Sequence, residues 1–143
     1  MKTLILEEFD LMTTEYSENQ RPSWDEYFLD IAEKVAQRST CLRLKVGALL
    51  VIRNKIIFTG YNGAPSGYKH CIDVGCRIVK DHCSRSIHAE TNALKLFNPY
   101  TLMWGNQATL YVTHEPCDSC VRRARGKRVT NIKWRHPYAP TDS

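Results

Sequence analysis

Trp24, Tyr27, Phe28, Ile31, Ala32 and Val35 recur at spacings of three and four, the signature of one apolar helical face. Ser23 and Glu26 stand where a capping box satisfies two orphan backbone N–H groups, so a helix is predicted from Ser23 to about Arg38. The period then changes. VGALLVIRNKIIFTG holds two β-rich runs, Val46 to Ile52 and Lys55 to Thr59, joined over Arg53 and Asn54 as in a hairpin. Their near-continuous apolar character implies that both faces are covered. GYNGAPSGYKH, with three glycines and a proline in eleven residues, reads as loop, and loop is predicted to persist to about Ser86. A loop of that length in a compact domain is commonly functional or pinned by something. Helix resumes at His88 and runs to about Phe97, ATLYVTH is a buried strand, Cys117 opens a third helix and VTNIKW is a last strand. The order α-β-β-α-β-α-β predicts an α/β fold: a mixed central sheet with helices on both faces and right-handed βαβ crossovers between the later strands. Residues 1–22 lack a sustained period and read as an arm or subunit contact, 23–138 as one domain, and 139–143 as a tail.

Composition narrows the classes. At 143 residues, 43% hydrophobic and 24% charged, the chain suits one soluble globular domain. No apolar run approaches the roughly 18 residues of a membrane span, and the acidic start MKTLILEEFD lacks the basic region and cleavage site of a signal peptide. A cytoplasmic location follows, or the host cytoplasm if the gene is viral. There the six cysteines are expected as reduced thiols, available to metals. The net charge of +5 favours an anionic partner. Seven of the twenty Lys and Arg lie between Arg122 and Arg135, which is either a solvated helix face or a phosphate or nucleic-acid contact.

His88, Cys117 and Cys120 offer an imidazole and two thiolates, the donor set zinc prefers, with a fourth position left for water. Both cysteines fall at a predicted helix start, where backbone N–H groups are expected to lower thiol pKa values, and Pro116 suits a chain entering a helix. Glu90 separates catalysis from structure, because a hydrolytic zinc needs a group that moves protons whereas a closed structural site does not. On a helix His88 and Glu90 would lie about 200° apart. One site can use both only if they sit in the first turn, at the mouth formed by the strand ends. His-x-Glu alone is weak, and Pro-Cys-x-x-Cys alone signals zinc or redox chemistry without a function. Combined as H-x-E…P-C-x-x-C, they are the known signature of zinc-dependent nucleobase deaminases.

From Ser23 to Tyr138 the chain resembles the deoxycytidylate (dCMP) deaminase family, through RSTCLRLKVGALLV, GYNGAPSG, HCIDVGC, DHCSRSIHAETNA, LYVTHEPCDSC and the tyrosine Tyr138 after the last strand. The resemblance implies a three-layer αβα cytidine-deaminase-like fold and zinc-dependent hydrolysis of dCMP to dUMP, a thymidylate precursor. It implies Glu90 as acid/base and a catalytic zinc on His88, Cys117 and Cys120. It further implies that Asn62 binds sugar or base, that Ala89 offers its backbone to the pyrimidine, and that Arg43 and Tyr138 meet the phosphate. Family members are commonly homohexamers, activated by dCTP with magnesium and inhibited by dTTP through the glycine-rich loop, here Gly60, Tyr61, Asn62 and Gly63. Members also carry a second, structural zinc. Cys41 and Cys71 match its ligand positions and Cys76 and Cys83 would complete it, with His70 and His82 as replacements for either of the last two. The alternative is four isolated buried thiols.

Departures from the family pattern gather after Cys120, in VRRARGKRVTNIKW, where Gly126 comes early and charge runs throughout. Two other functions compete. A deaminase of nucleic acid would use the basic stretch, although few aromatics accompany it for base stacking. A zinc-stabilised nucleotide sensor would close the metal's fourth position with a side chain.

Overall fold

The computed structural model describes residues 20–64, 67–79, 82–83, 87–102 and 106–138, with the side chains of 78, 79, 82 and 83 excluded. The expected tail, and the arm up to residue 19, lie outside the described residues. Helix α1 spans Trp24–Ala36 and opens on the expected capping box, Ser23 Oγ accepting from the Glu26 N–H while Glu26 accepts from the Ser23 N–H. Strands β1 (Gly47–Ile52) and β2 (Lys55–Tyr61) form the expected hairpin. Arg53 and Asn54 both take positive φ, 54° and 60°, the conformation a two-residue turn needs to match strand twist. Three short elements follow: α2 (Cys71–Val74), β3 (Ile78–Val79) and β4 (His82–Cys83). Helix α3 (Ala89–Leu94), a 3-10 turn (Pro99–Thr101), strand β5 (Ala108–His114), helix α4 (Asp118–Gly126) and strand β6 (Asn131–His136) are the remaining elements among the described residues.

The sheet runs β2-β1-β5-β6, antiparallel except for the parallel pair β5 and β6, which α4 connects. Alternate residues of β1 and β5 point to opposite faces. On one face Leu49, Val51 and Tyr111 pack against Phe28 and Ala32 of α1. On the other Ala48, Leu50, Leu110 and Val112 pack with Ala89, Ala93 and Leu94 of α3, Ala124 of α4, and Val129. Glycines let the helices approach closely. A Cβ on Gly47 would come within 2.1 Å of the Ala32 carbonyl oxygen, and one on Gly60 within 2.4 Å of that of Ala89. The mixed sheet with helices on both faces is the predicted architecture.

Two expectations change. Only β1 of the hairpin is covered on both faces; β2 is an edge strand with Ile56 and Ile57 exposed. Hydropathy alone cannot tell an edge from a centre when both runs are apolar. The segment read as loop to Ser86 contains α2 and the β3/β4 hairpin, elements too short for periodicity to reveal. No helix among the described residues is long and apolar enough to cross a membrane.

Candidate metal centre

Helices α3 and α4 lie on the same face of the sheet, and their N-terminal ends carry the predicted chemistry. His88 is the N-cap of α3, in extended backbone at ψ 148°, so it is not itself helical. Glu90 is the second residue of that helix and 5% exposed, with Cys120 among the groups that act on its carboxyl. The separation of about 200° therefore never arises, because His88 leaves the helical path before Ala89 enters it. The first-turn arrangement demanded of His88 and Glu90 is met.

Cys117 is the N-cap of α4 and Cys120 its third residue. Pro116 thus precedes the cap and ends the extended segment after β5 rather than starting the helix. Donor atoms of His88, Cys117 and Cys120 all lie within 4.8 Å of one another, and they are the one such group of three among the described residues. His88 Nδ1 is 3.2 Å from Cys120 Sγ and 3.6 Å from Cys117 Sγ. A tetrahedral zinc with ordinary Zn–N and Zn–S bonds would hold nitrogen and sulfur roughly 3.5 Å apart. The donors fit that ion.

Electrostatics supports the same fit. Burial pushes the Glu90 carboxyl above the ordinary range, opposed by its own backbone N–H and by Cys120. Burial first, and then the neighbouring Glu90 and Cys117, push the Cys120 thiol far above its usual value. The lowered thiol pKa expected of Cys120 from the helix start is therefore corrected: desolvation, Glu90 and Cys117 push it up against the lowering hydrogen bond of Thr91. A divalent cation reverses that balance, since it compensates thiolates and carboxylate together.

The other predicted residues surround this centre. Gly63 exchanges two backbone hydrogen bonds with Ile87, at 3.1 and 2.8 Å, which ties the glycine-rich loop to the residue before His88. Tyr61 accepts at its carbonyl from Asn92 Nδ2 of α3 at 2.8 Å. Asn62 is buried, and its amide spans the segment before β1, accepting from the Val46 N–H and donating to the Leu44 carbonyl. One Asn62 amide hydrogen remains for another acceptor. Arg43 is half-buried in that segment, and Ala89 is buried at the start of α3. The Tyr138 N–H donates to Glu115 Oε1 at 2.9 Å, which brings Tyr138 to the loop carrying Cys117.

Of the second cysteine set, Cys41 and Cys71 are buried and Cys76 is half-buried, while the side chain of Cys83 lies outside the described residues. Thr40 Oγ1 meets His70 Nδ1 at 3.1 Å, joining the residue before Cys41 to the residue before Cys71.

The basic stretch is largely internal wiring. Lys133 binds Asp25, Arg135 binds Asp30 and Glu33, Lys127 reaches three carbonyls at the C-terminal end of α3, and Arg128 lies over the Tyr100 ring. Arg122, Arg123 and Arg125 remain as exposed side chains on α4, a narrower patch than the sequence suggested. Lys127, Asn92 and the Asp25/Tyr111/Lys133 group escaped sequence reasoning because their partners lie 30 or more residues away.

Comparison with known proteins agrees with this geometry. The sequence profile of the "Cytidine and deoxycytidylate deaminase zinc-binding region" matches residues 22–134. The chain is 39% identical to ComE operon protein 2 of Bacillus subtilis (strain 168), over 84% of this chain and 66% of that protein. It is 46% identical to the deoxycytidylate deaminase of Mycobacterium phage D29, over 70% of this chain and 84% of that protein. A Schizosaccharomyces pombe deoxycytidylate deaminase is 40% identical, but the match spans only 38% of its length. Among solved structures, dCMP deaminase from the cyanophage S-TIM5 in complex with dCMP and dUMP superposes with a TM-score of 0.66 at 30% identity, over 83% of this chain and 85% of that one.

Proposed function

The chain belongs to the cytidine and deoxycytidylate deaminase zinc-binding family, and on that premise we propose that it hydrolyses dCMP to dUMP and ammonia. One observation carries the reading: a buried carboxyl, Glu90, meets a His88, Cys117 and Cys120 cluster whose spacing fits zinc. His88 Nδ1 and the two sulfurs would hold the ion. When bound, zinc supplies the Lewis acidity that brings water's pKa near neutrality. Glu90 takes a proton from the attacking water and returns it to the departing amine at the pyrimidine C4, so that water is added and ammonia lost in balance. Its burial suits both halves of that exchange, because a carboxyl raised by desolvation is a better proton acceptor than an ordinary one and can still return the proton.

Asn62 offers its remaining amide hydrogen to the sugar or base, the Ala89 backbone faces the pyrimidine, and Arg43 and Tyr138 serve the phosphate end. The product feeds thymidylate synthesis in the cytoplasm of a cell or of an infected host. The reading extends to activation by dCTP with magnesium and inhibition by dTTP at Gly60 to Gly63 in a homohexamer. The contacts of that loop with Ile87 and α3 supply a path to the metal centre. A structural zinc on Cys41, Cys71, Cys76 and Cys83 is the last part of the reading: the Thr40/His70 link joins the segments of Cys41 and Cys71, although among the described residues no three of these donors come together as His88, Cys117 and Cys120 do.

The test follows the loss of cytosine absorbance on dCMP and on deoxycytidine in parallel, with magnesium and dCTP added to half the samples. Turnover of dCMP alone is expected. Equal turnover of both, or of neither, overturns the phosphate assignments. Metal analysis should give two zinc ions per chain; one zinc, and a Cys71→Ala variant that melts like the parent, would remove the structural site.

A further inference from the structure

Helices α3 and α4 are joined at both ends. At their N-terminal ends His88, Cys117 and Cys120 converge, and toward their C-terminal ends one side chain spans the gap. Lys127 Nζ donates to the carbonyls of Leu94 at 2.9 Å, Phe97 at 2.9 Å and Lys95 at 3.3 Å, the last residue of α3 and the turn that follows it. An ammonium has three donors, so its capacity is fully used. The three carbonyls lie at and just past the end of α3, where the Leu94 carbonyl also accepts from the Phe97 N–H at 3.0 Å, and the cation suits the negative end of the helix dipole.

The base of Lys127 is equally fixed. It is the C-cap of α4, and the chain turns there through Arg128 at φ 64°, with the Val129 N–H bonded to Ala124 and the Arg128 N–H to Arg125, both at 2.9 Å. That pairing is a Schellman motif, closed by the buried Val129 and Ala124. Lys127 stands seven residues beyond Cys120, roughly 10 Å along the helix. Neither the ammonium nor its acceptors touch the metal centre.

We infer that Lys127 is a positioning residue for the metal centre. It sets how α4 lies against α3, and therefore how far Cys117 and Cys120 stand from His88 and Glu90. The inference rests on the metal-centre reading above.

The test is titration of the metal-free chain with cobalt(II), well below its melting temperature, reading the visible bands that report a tetrahedral site with thiolate ligands. The parent chain is compared with Lys127→Met and Lys127→Arg. Lys127→Met is expected to weaken cobalt binding by roughly two- to thirtyfold, the coupling that a residue acting on a site through packed elements commonly shows, and to change the band intensities. Lys127→Arg, which keeps several donors, is expected to recover most of the affinity. Should Lys127→Met fail to fold, Lys127→Gln, with a shorter and uncharged donor, takes its place. A folded Met or Gln variant that binds cobalt with the parent's affinity and spectrum overturns the inference even if it melts earlier, since that is what a purely structural lysine would do. A parent chain that binds no cobalt overturns the metal centre itself, and the inference falls with it.

Discussion

Asp25 and Glu90 are both acids in the first turn of a helix packed on the same sheet, one on each face, and their surroundings push them in opposite directions. Asp25 is half-exposed, accepts from the Tyr111 hydroxyl at 2.6 Å and binds Lys133 Nζ at 2.9 Å, and the tyrosine first and the lysine next hold its carboxyl below the ordinary range. Glu90 is buried beside a thiol and is pushed up. The first arrangement satisfies a charge and locks α1 to β5 and β6. The second leaves a carboxyl buried beside the His88, Cys117 and Cys120 donors, where a cation would compensate its charge. Position in the helix is the same; the partner decides the role.

The sharpest test of the contrast exchanges each carboxyl for an amide. Glu90→Gln should lower turnover of dCMP by about 10²–10⁴-fold, the usual worth of a general acid/base, with zinc content and folding retained. An active Glu90→Gln protein would place proton transfer elsewhere. Next in size are the two glycines that let the helices approach. Gly60→Ala drives a methyl group into the Ala89 carbonyl and the Ala93 N–H, and Gly47→Ala into those of Ala32 and Ala36. Each should cost about 1–3 kcal/mol of stability in denaturant titration, because backbone must move. Only Gly60→Ala, which displaces the helix bearing Glu90, should also lower turnover at temperatures where the protein remains folded. Equal losses of activity in both variants would mean that the two faces are not separate in function.

Much of this was legible in the chain, for physical reasons that also explain what was not. The apolar spacing from Trp24 to Val35 and the pairing of Ser23 with Glu26 are local, and local rules predicted α1 to within about two residues. Asn54 and Arg53 announced a hairpin. The cluster of His88, Cys117 and Cys120 could be anticipated because a metal restricts donor type and spacing so tightly that its ligands, with Glu90 two residues from His88, carry a recognisable pattern. Edge and centre could not be distinguished, since Ile56 and Leu49 look alike until the sheet order is known. Nor could the fate of the basic stretch be read. Lys133 finds Asp25 across 108 residues, and Lys127 finds Leu94 across 33, so cations that resemble a binding patch in sequence are half spent on holding the fold.

On the structural face the expected effects are smaller. Asp25→Asn should destabilise by about 1 kcal/mol: charge-assisted hydrogen bonds are stronger than that, but a half-exposed pair is screened, and asparagine still accepts from Tyr111. Dependence on pH then separates the two partners. Asp25 has its carboxyl lowered on folding, so the stability it contributes is fully present above the unfolded value and is lost as pH falls through the folded one. Tyr111 is moved the other way, raised by burial first and then by the nearby Asp25 carboxylate. Its contribution is present below the ordinary tyrosine value of 10.0 and lost only as pH rises through the higher folded one. Melting temperature followed across pH should therefore lose part of its acid limb in Asp25→Asn, and in Tyr111→Phe part of its alkaline limb together with a smaller part of the acid one, because the hydroxyl also supports the Asp25 carboxylate. The second change is the smallest expected, since phenylalanine keeps the packing on Phe28 and leaves Lys133 paired with Asp25. If Tyr111→Phe instead leaves the acid limb unchanged, the ammonium rather than the hydroxyl is the main support of the Asp25 charge, against the 2.6 Å contact between hydroxyl and carboxylate.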